Sequence, residues 1–168
     1  RRLLDQAEAQ ENEGQLELAV QTFRQALELD PADEAISARV DAVTTALNRR
    51  RAAAAVDEAD RLIAAERFEE AEARLREAAE LDAECGVGER LEKIPVQIRD
   101  REVRRHRRLA EALLQQERYE QAVQAIEEAL RLDGSRADLR EMRTEALARW
   151  NDHKAAPLLE AADRLAAE

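Results

Sequence analysis

ERYEQAVQAIEEALRLD, residues 117–133, is the third occurrence of one short helical pattern in this chain. ERFEEAEARLREAAELD, residues 66–82, and GQLELAVQTFRQALELD, residues 14–30, are the other two. In residues 117–133, Tyr119, Ala122, Ile126 and Ala129 fall three or four apart and share one face of a helix. Ala110, Leu113 and Leu114 form the matching stripe on the helix before it. The small alanines let two backbones approach closely, and the larger side chains occupy the remaining space. Gln116-Glu117-Arg118 is a turn of the length that joins neighbouring helices. Each copy therefore predicts a helical hairpin.

The register holds through the chain. Aligning Leu16, Phe68 and Tyr119 also aligns Ala19, Ala71 and Ala122, then Phe23, Leu75 and Ile126, and finally Asp30, Asp82 and Asp133. Upstream it aligns Ala7, Ala59 and Ala110, and the ADRL of 162–165 repeats that of 59–62. We read helical repeat 1 over 1–51, repeat 2 over 52–101, repeat 3 over 102–154, and the first helix of a truncated repeat 4 over 155–168. Such self-similarity governs the fold, because each unit buries its apolar face only against neighbours.

The pattern resembles the tetratricopeptide repeat family. It has a small residue in the first helix, an aromatic opening the second, and the stretch ALELDP at 26–31 preceded by Ala19 and Phe23. The family period is 34 residues, whereas copies here recur every 51 or 52, and only Pro31 keeps the closing proline. The resemblance implies a non-catalytic scaffold that binds other proteins.

The surplus residues follow each repeated aspartate. In AISARVDAVTTALNRRR, residues 35–51, Ile36, Val40, Val43 and Leu47 form a seam-like stripe. Val87, Leu91, Ile94 and Ile98 repeat it, and Leu139, Met142, Ala146 and Trp150 give a looser version. No glycine or proline interrupts Asp33 to Glu66, so one long helix is expected there. It closes one unit and opens the next. The expected fold is all-α: three-helix modules joined by long shared helices, as in an extended spectrin-like rod, with a tetratricopeptide-type superhelix as the alternative. Asp30-Pro31 is expected to cap and open the third segment, and Ser135 with Asp138 to make a capping box. Gly86 and Gly88 are expected to punctuate the middle connection. The second shared helix is expected to begin or bend at Pro95, and the last to bend near Pro157.

Composition narrows function. The 38 acidic residues outnumber the 27 basic ones, leaving a net charge of −11, which disfavours a nucleic-acid partner. No apolar run reaches the length that spans a bilayer, so membrane insertion is not expected. Lone Cys85 forms no internal disulfide, and His106 and His153 lack ligand spacing with it. We expect no metal, cofactor or enzymatic activity. Phe23, Phe68, Tyr119 and Trp150 are expected in the core. The chain opens on Arg-Arg and stops inside its fourth copy, so we expect an excerpt flanked by further domains. Its compartment stays open, with cytoplasm favoured, and its arginine and alanine bias associates it with a bacterial source.

Arginines cluster at one point of the repeat. Arg49, Arg50 and Arg51 sit midway along the first shared helix, and Arg99, Arg101, Arg104, Arg105, Arg107 and Arg108 crowd the second. Arg1 and Arg2 fall nearby in register. Guanidinium pairs well with carboxylate and phosphate, so Arg49, Arg50, Arg51, Arg101, Arg104, Arg105, Arg107 and Arg108 are candidate contacts for an acidic protein partner. Pairing with the chain's own glutamates is the preferred explanation. The leading function is a protein-interaction scaffold within a larger protein. The alternatives are a rigid spacer between flanking domains or a regulatory segment of an enzyme whose catalytic domain lies elsewhere.

Overall fold

The computed structural model describes residues 1–166. They form seven α-helices, and no strand occurs among the described residues: α1 (Arg2–Asn12), α2 (Leu16–Leu29), α3 (Glu34–Ala64), α4 (Phe68–Leu81), α5 (Gly88–Gln115), α6 (Tyr119–Leu132) and α7 (Ala137–Ala166). The expected all-α repeat is therefore the fold. Of the truncated fourth repeat read over 155–168, the last two residues lie outside the described ones. The chain divides into two compact units, Arg1–Ile94 and Pro95 onward.

In the first unit, Ala7 of α1, Ala19, Val20 and Phe23 of α2, and Val40, Val43 and Leu47 of α3 make one core. The first half of α3 is thus the third helix of a small bundle. The helix then continues unbroken, and its second half buries Ala52, Ala55, Ala59 and Leu62. At 100° per residue, this second stripe points roughly 110° away from the Ile36–Leu47 stripe. The same helix can therefore serve α2 with one face and α4 with another, and it packs on both. Ala59, Ala71, Leu75 and Ala78 are all fully buried.

In the second unit, Val103, Ala110 and Leu113 of α5 share a core with α6 residues Ala122, Val123, Ala125, Ile126 and Ala129 and with Leu139 and Ala146 of α7. Met142 and Trp150 pack at its margin. The second stripe of α7 is open: Leu158, Leu159 and Leu165 are exposed at 72%, 64% and 74%.

The three hairpin turns are built alike. Gly14, Glu66 and Glu117 stand at equivalent positions with φ of +75°, +56° and +61°. In each, the left-handed residue and its successor donate back to the end of the preceding helix. Gly14 N–H bonds Glu11 and Gln15 N–H bonds Gln10, at 2.9 and 2.8 Å. Glu66 and Arg67 bond Ile63 and Leu62 at 3.0 and 2.9 Å, and Glu117 and Arg118 bond Leu114 and Leu113 at 3.2 and 2.9 Å. This double bond pattern is a Schellman motif, which satisfies the last carbonyls of a helix.

Several local expectations are corrected. Asp30 closes α2 rather than opening α3, because the residue before a proline disfavours helical geometry. Asp33 caps α3 instead, accepting from the Ala35 and Ile36 N–H groups at 2.9 and 3.1 Å. Ser135 makes no capping box: its hydroxyl donates to Asp133 Oδ1 at 2.6 Å, a nearer charged acceptor. Gly86 turns the middle connection with φ +72°, whereas Gly88 is already the first residue of α5. The second shared helix does not begin at Pro95: α5 starts at Gly88 and includes that proline within it, and α7 likewise includes Pro157. Both prolines are exposed, and each helix forgoes the backbone hydrogen bond that its proline cannot donate.

Candidate partner-binding surfaces

The midpoint of α3 places three consecutive guanidinium groups where the helix changes partners. They reach three different places. Arg49 lies 4.0 Å from both Asp82 and Glu84, at the end of α4 and just beyond. Arg50 donates to the Gly14 carbonyl at 2.9 Å. Arg51 pairs with Glu17, in the first turn of α2, at 3.4 Å. Along α5, Arg99 pairs with Asp100 at 3.6 Å, and Arg101 and Arg105 both pair with Glu102, at 3.2 and 3.6 Å. Arg107 bridges Glu111 and Asp138 at 3.0 and 3.1 Å. The Asp138 carboxyl is held below its usual range, first by a hydrogen bond from Arg136 and further by the Arg107 charge. Arg104 and Arg108 are exposed on the same helix, as are Arg1 and Arg2 at the start of the chain.

A cleft lies where the second hairpin helix meets the end of the third segment, and two copies line it differently. In the first copy Glu17, Val20, Leu47 and Arg51 are among the residues that line it, Arg51 pairs there with Glu17, and the neighbouring Arg50 donates to the Gly14 carbonyl outside that lining. Aligning Leu16 with Tyr119 equates Leu47 with Trp150, Arg50 with His153, Arg51 with Lys154, Gly14 with Glu117 and Glu17 with Glu120. In this later copy Glu117, Tyr119, Glu120, Trp150 and His153 line a recess of about 250 Å³. The Tyr119 and His153 rings lie 5.3 Å apart, tilted by 56°. Lys154 Nζ stands 3.5 Å from the centre of the Trp150 ring, a cation–π arrangement.

This corrects the expectation for the aromatics. Phe23 and Phe68 are buried at 1% and 5% exposure, but Tyr119 and Trp150 are only half-buried. Both sit in the recess, and His153 joins them. The signal was present in the register: an aromatic, an imidazole and an ammonium replace a leucine and two arginines at matched positions.

A second recess, of about 450 Å³, runs between α5 and α6, lined by His106, Leu109, Leu113, Gln121 and Ala125 among others. Its counterpart between α3 and α4 is lined by Glu58, Arg74 and Glu77. There the Arg74 guanidinium is held protonated more firmly than usual, first by its hydrogen bond to Glu77. Cys85 is a free, half-buried thiol. No helix among the described residues is long and apolar enough to cross a membrane.

Tetratricopeptide repeat models match residues 1–33 and residues 103–135. The first match covers α1 and α2, and the second covers the later part of α5 with α6. No curated protein matches the chain.

Proposed function

We propose that this chain, a tetratricopeptide-repeat-like helical repeat protein, is a non-catalytic scaffold that brings proteins together within a larger assembly or parent chain. The two tetratricopeptide matches carry this reading, since repeats of that kind generally mediate protein–protein interaction. Two open recesses beside the matched hairpin of the later copy support it.

An acidic partner segment docking on Arg49, Arg50, Arg51, Arg101, Arg104, Arg105, Arg107 and Arg108 is a sharper form of the reading. Most of these guanidinium groups already have carboxylate or carbonyl partners in the chain, so exposed Arg108, which has no ion-pair partner among the described residues, would be the first contact. The test begins with the purified chain as bait, followed by reconstitution and titration with each captured protein. At least one partner should bind saturably. Converting Arg104, Arg105, Arg107 and Arg108 to glutamine should weaken an acidic partner. If every reconstituted partner binds more weakly than about 1 mM, about −4 kcal/mol, the scaffold reading is lost.

The unbroken α3 favours a second reading, a spacer holding flanking domains apart. Its 31 residues rise about 46 Å. Exchanging the chain for an unrelated helical segment of equal length within its parent should then preserve function, whereas a scaffold would lose it.

A further inference from the structure

The two versions of the cleft point to a ligand. In the first copy, two consecutive arginines are satisfied within the chain: one guanidinium on the carbonyl of the left-handed turn, one on the carboxylate of the following helix. Both anchors persist in the third copy, as the Glu117 carbonyl and the Glu120 side chain. The arginines do not. His153 turns its ring to Tyr119, and Lys154 turns back onto Trp150. Glu120 is left with no ion-pair partner among the described residues. Tyr119 and Trp150, half-buried, stand where the first copy has Leu16 and Leu47.

We propose that the cleft formed by Tyr119, Glu120, Trp150 and His153 binds an arginine side chain from a basic segment of a partner protein. The guanidinium would accept the position Arg51 holds in the first copy, against the Glu120 carboxylate, with its flat face on the indole. Three properties select this ligand. A planar fork of donors suits a carboxylate and a backbone carbonyl together. An indole face attracts cations, and Lys154 already uses it for one. The net charge of −11 draws basic segments toward the chain. Lys154 is the internal competitor that an incoming arginine displaces. The proposal rests on the scaffold reading and specifies one of its surfaces.

Trp150 is the only tryptophan, so its fluorescence reports directly on the cleft. The experiment titrates the whole chain with a short peptide carrying two arginines in an alanine background. Peptides with citrulline or lysine in their place are titrated in parallel, at about 0.15 M salt to screen diffuse attraction. The arginine peptide should shift Trp150 emission saturably and bind at least about threefold more tightly than either comparison peptide. Glu120→Gln should weaken it about threefold or more, the size of an exposed charge contact, while Glu141→Gln, exposed on α7 and outside the cleft lining of either copy, should not. Lys154→Ala should tighten it. The double change His153→Arg with Lys154→Arg, which installs the first copy's own arginines, should block it as followed by calorimetry, with helicity by circular dichroism unchanged. Equal binding of the citrulline peptide, equal loss on Glu141→Gln, or undiminished binding by the double variant would overturn the proposal. Absence of arginine-peptide binding, alongside a reconstituted partner that still binds, would remove this site and leave the scaffold reading standing.

Discussion

The Arg50 guanidinium donates to the Gly14 carbonyl at 2.9 Å, joining the middle of α3 to the turn between α1 and α2. The acceptor belongs to the negative end of the α1 dipole, where a cation is favoured. The contact holds a shared helix against the hairpin it closes. Arg50→Gln should therefore cost about 0.5–1 kcal/mol, read as a lower urea midpoint with unchanged slope. Arg50→Lys should retain part of that, since an ammonium reaches the carbonyl with less geometric constraint. No loss in either variant would mean that the contact is ornamental to stability.

The left-handed turns offer a stability change of opposite sign at matched positions. Glu66 and Glu117 adopt a conformation that costs a side-chain-bearing residue about 1 kcal/mol. Part of the relief from glycine is offset by its greater freedom in the unfolded chain. Glu66→Gly and Glu117→Gly should each stabilise by about 0.5 kcal/mol. Gly14→Ala should destabilise by about 1 kcal/mol. A β-carbon there meets nothing within 4 Å, so backbone conformation alone would account for the loss. Thermal melts of the three variants give the comparison, and a gain from Gly14→Ala would refute this account.

The interface between α3 and α4 rests on small residues meeting a large one. Leu75 is completely buried, and Ala59 and Ala71 likewise. Leu75→Ala should cost about 2–5 kcal/mol through lost burial and a cavity. Ala59→Leu should cost about 1–3 kcal/mol, because the extra carbons have no space. Chemical denaturation would distinguish these from exposed Leu158→Ala, which should change stability by less than about 0.5 kcal/mol.

Acid should loosen the connection between α6 and α7. The Asp133 carboxyl is held below its ordinary range, first by the Ser135 hydroxyl and then by the Ser135 backbone N–H. A folded-state pKa below the unfolded value means that the unfolded chain binds the proton first as pH falls. The stabilisation is thus complete above the ordinary aspartate value of about 3.9 and is lost as pH drops through the lower folded value. Carboxyl titration by NMR should show Asp133 midpoints below those of exposed aspartates. Ser135→Ala should raise the midpoint toward them. An unchanged midpoint in that variant would assign the shift to another group.

Much of the fold was legible because its determinants are local. The 3.6-residue periodicity of alanine and leucine marks each hairpin. The uninterrupted run from Asp33 to Glu66 requires α3 to pass from one copy to the next. The helix starts were less legible. Asp30, Asp33, Ser135 and Asp138 all suit a cap by type, and which one acts depends on the turn that precedes it. The candidate site was the least legible part. Tyr119 and Trp150 match core positions of other copies, yet the structure leaves both half-exposed beside His153.

By itself the sequence determined the number of hairpins, their register and the helix they share, because helix formation and amphipathic burial follow from spacing along the chain. Only the tertiary structure decided where the charges and rings went. Arg50 finds a carbonyl 36 residues away and Arg51 a carboxylate 34 away, while their later counterparts turn to aromatic neighbours. Spacing specifies which face of a helix is apolar; the pairing of long, flexible side chains is settled only when two elements meet at a fixed distance.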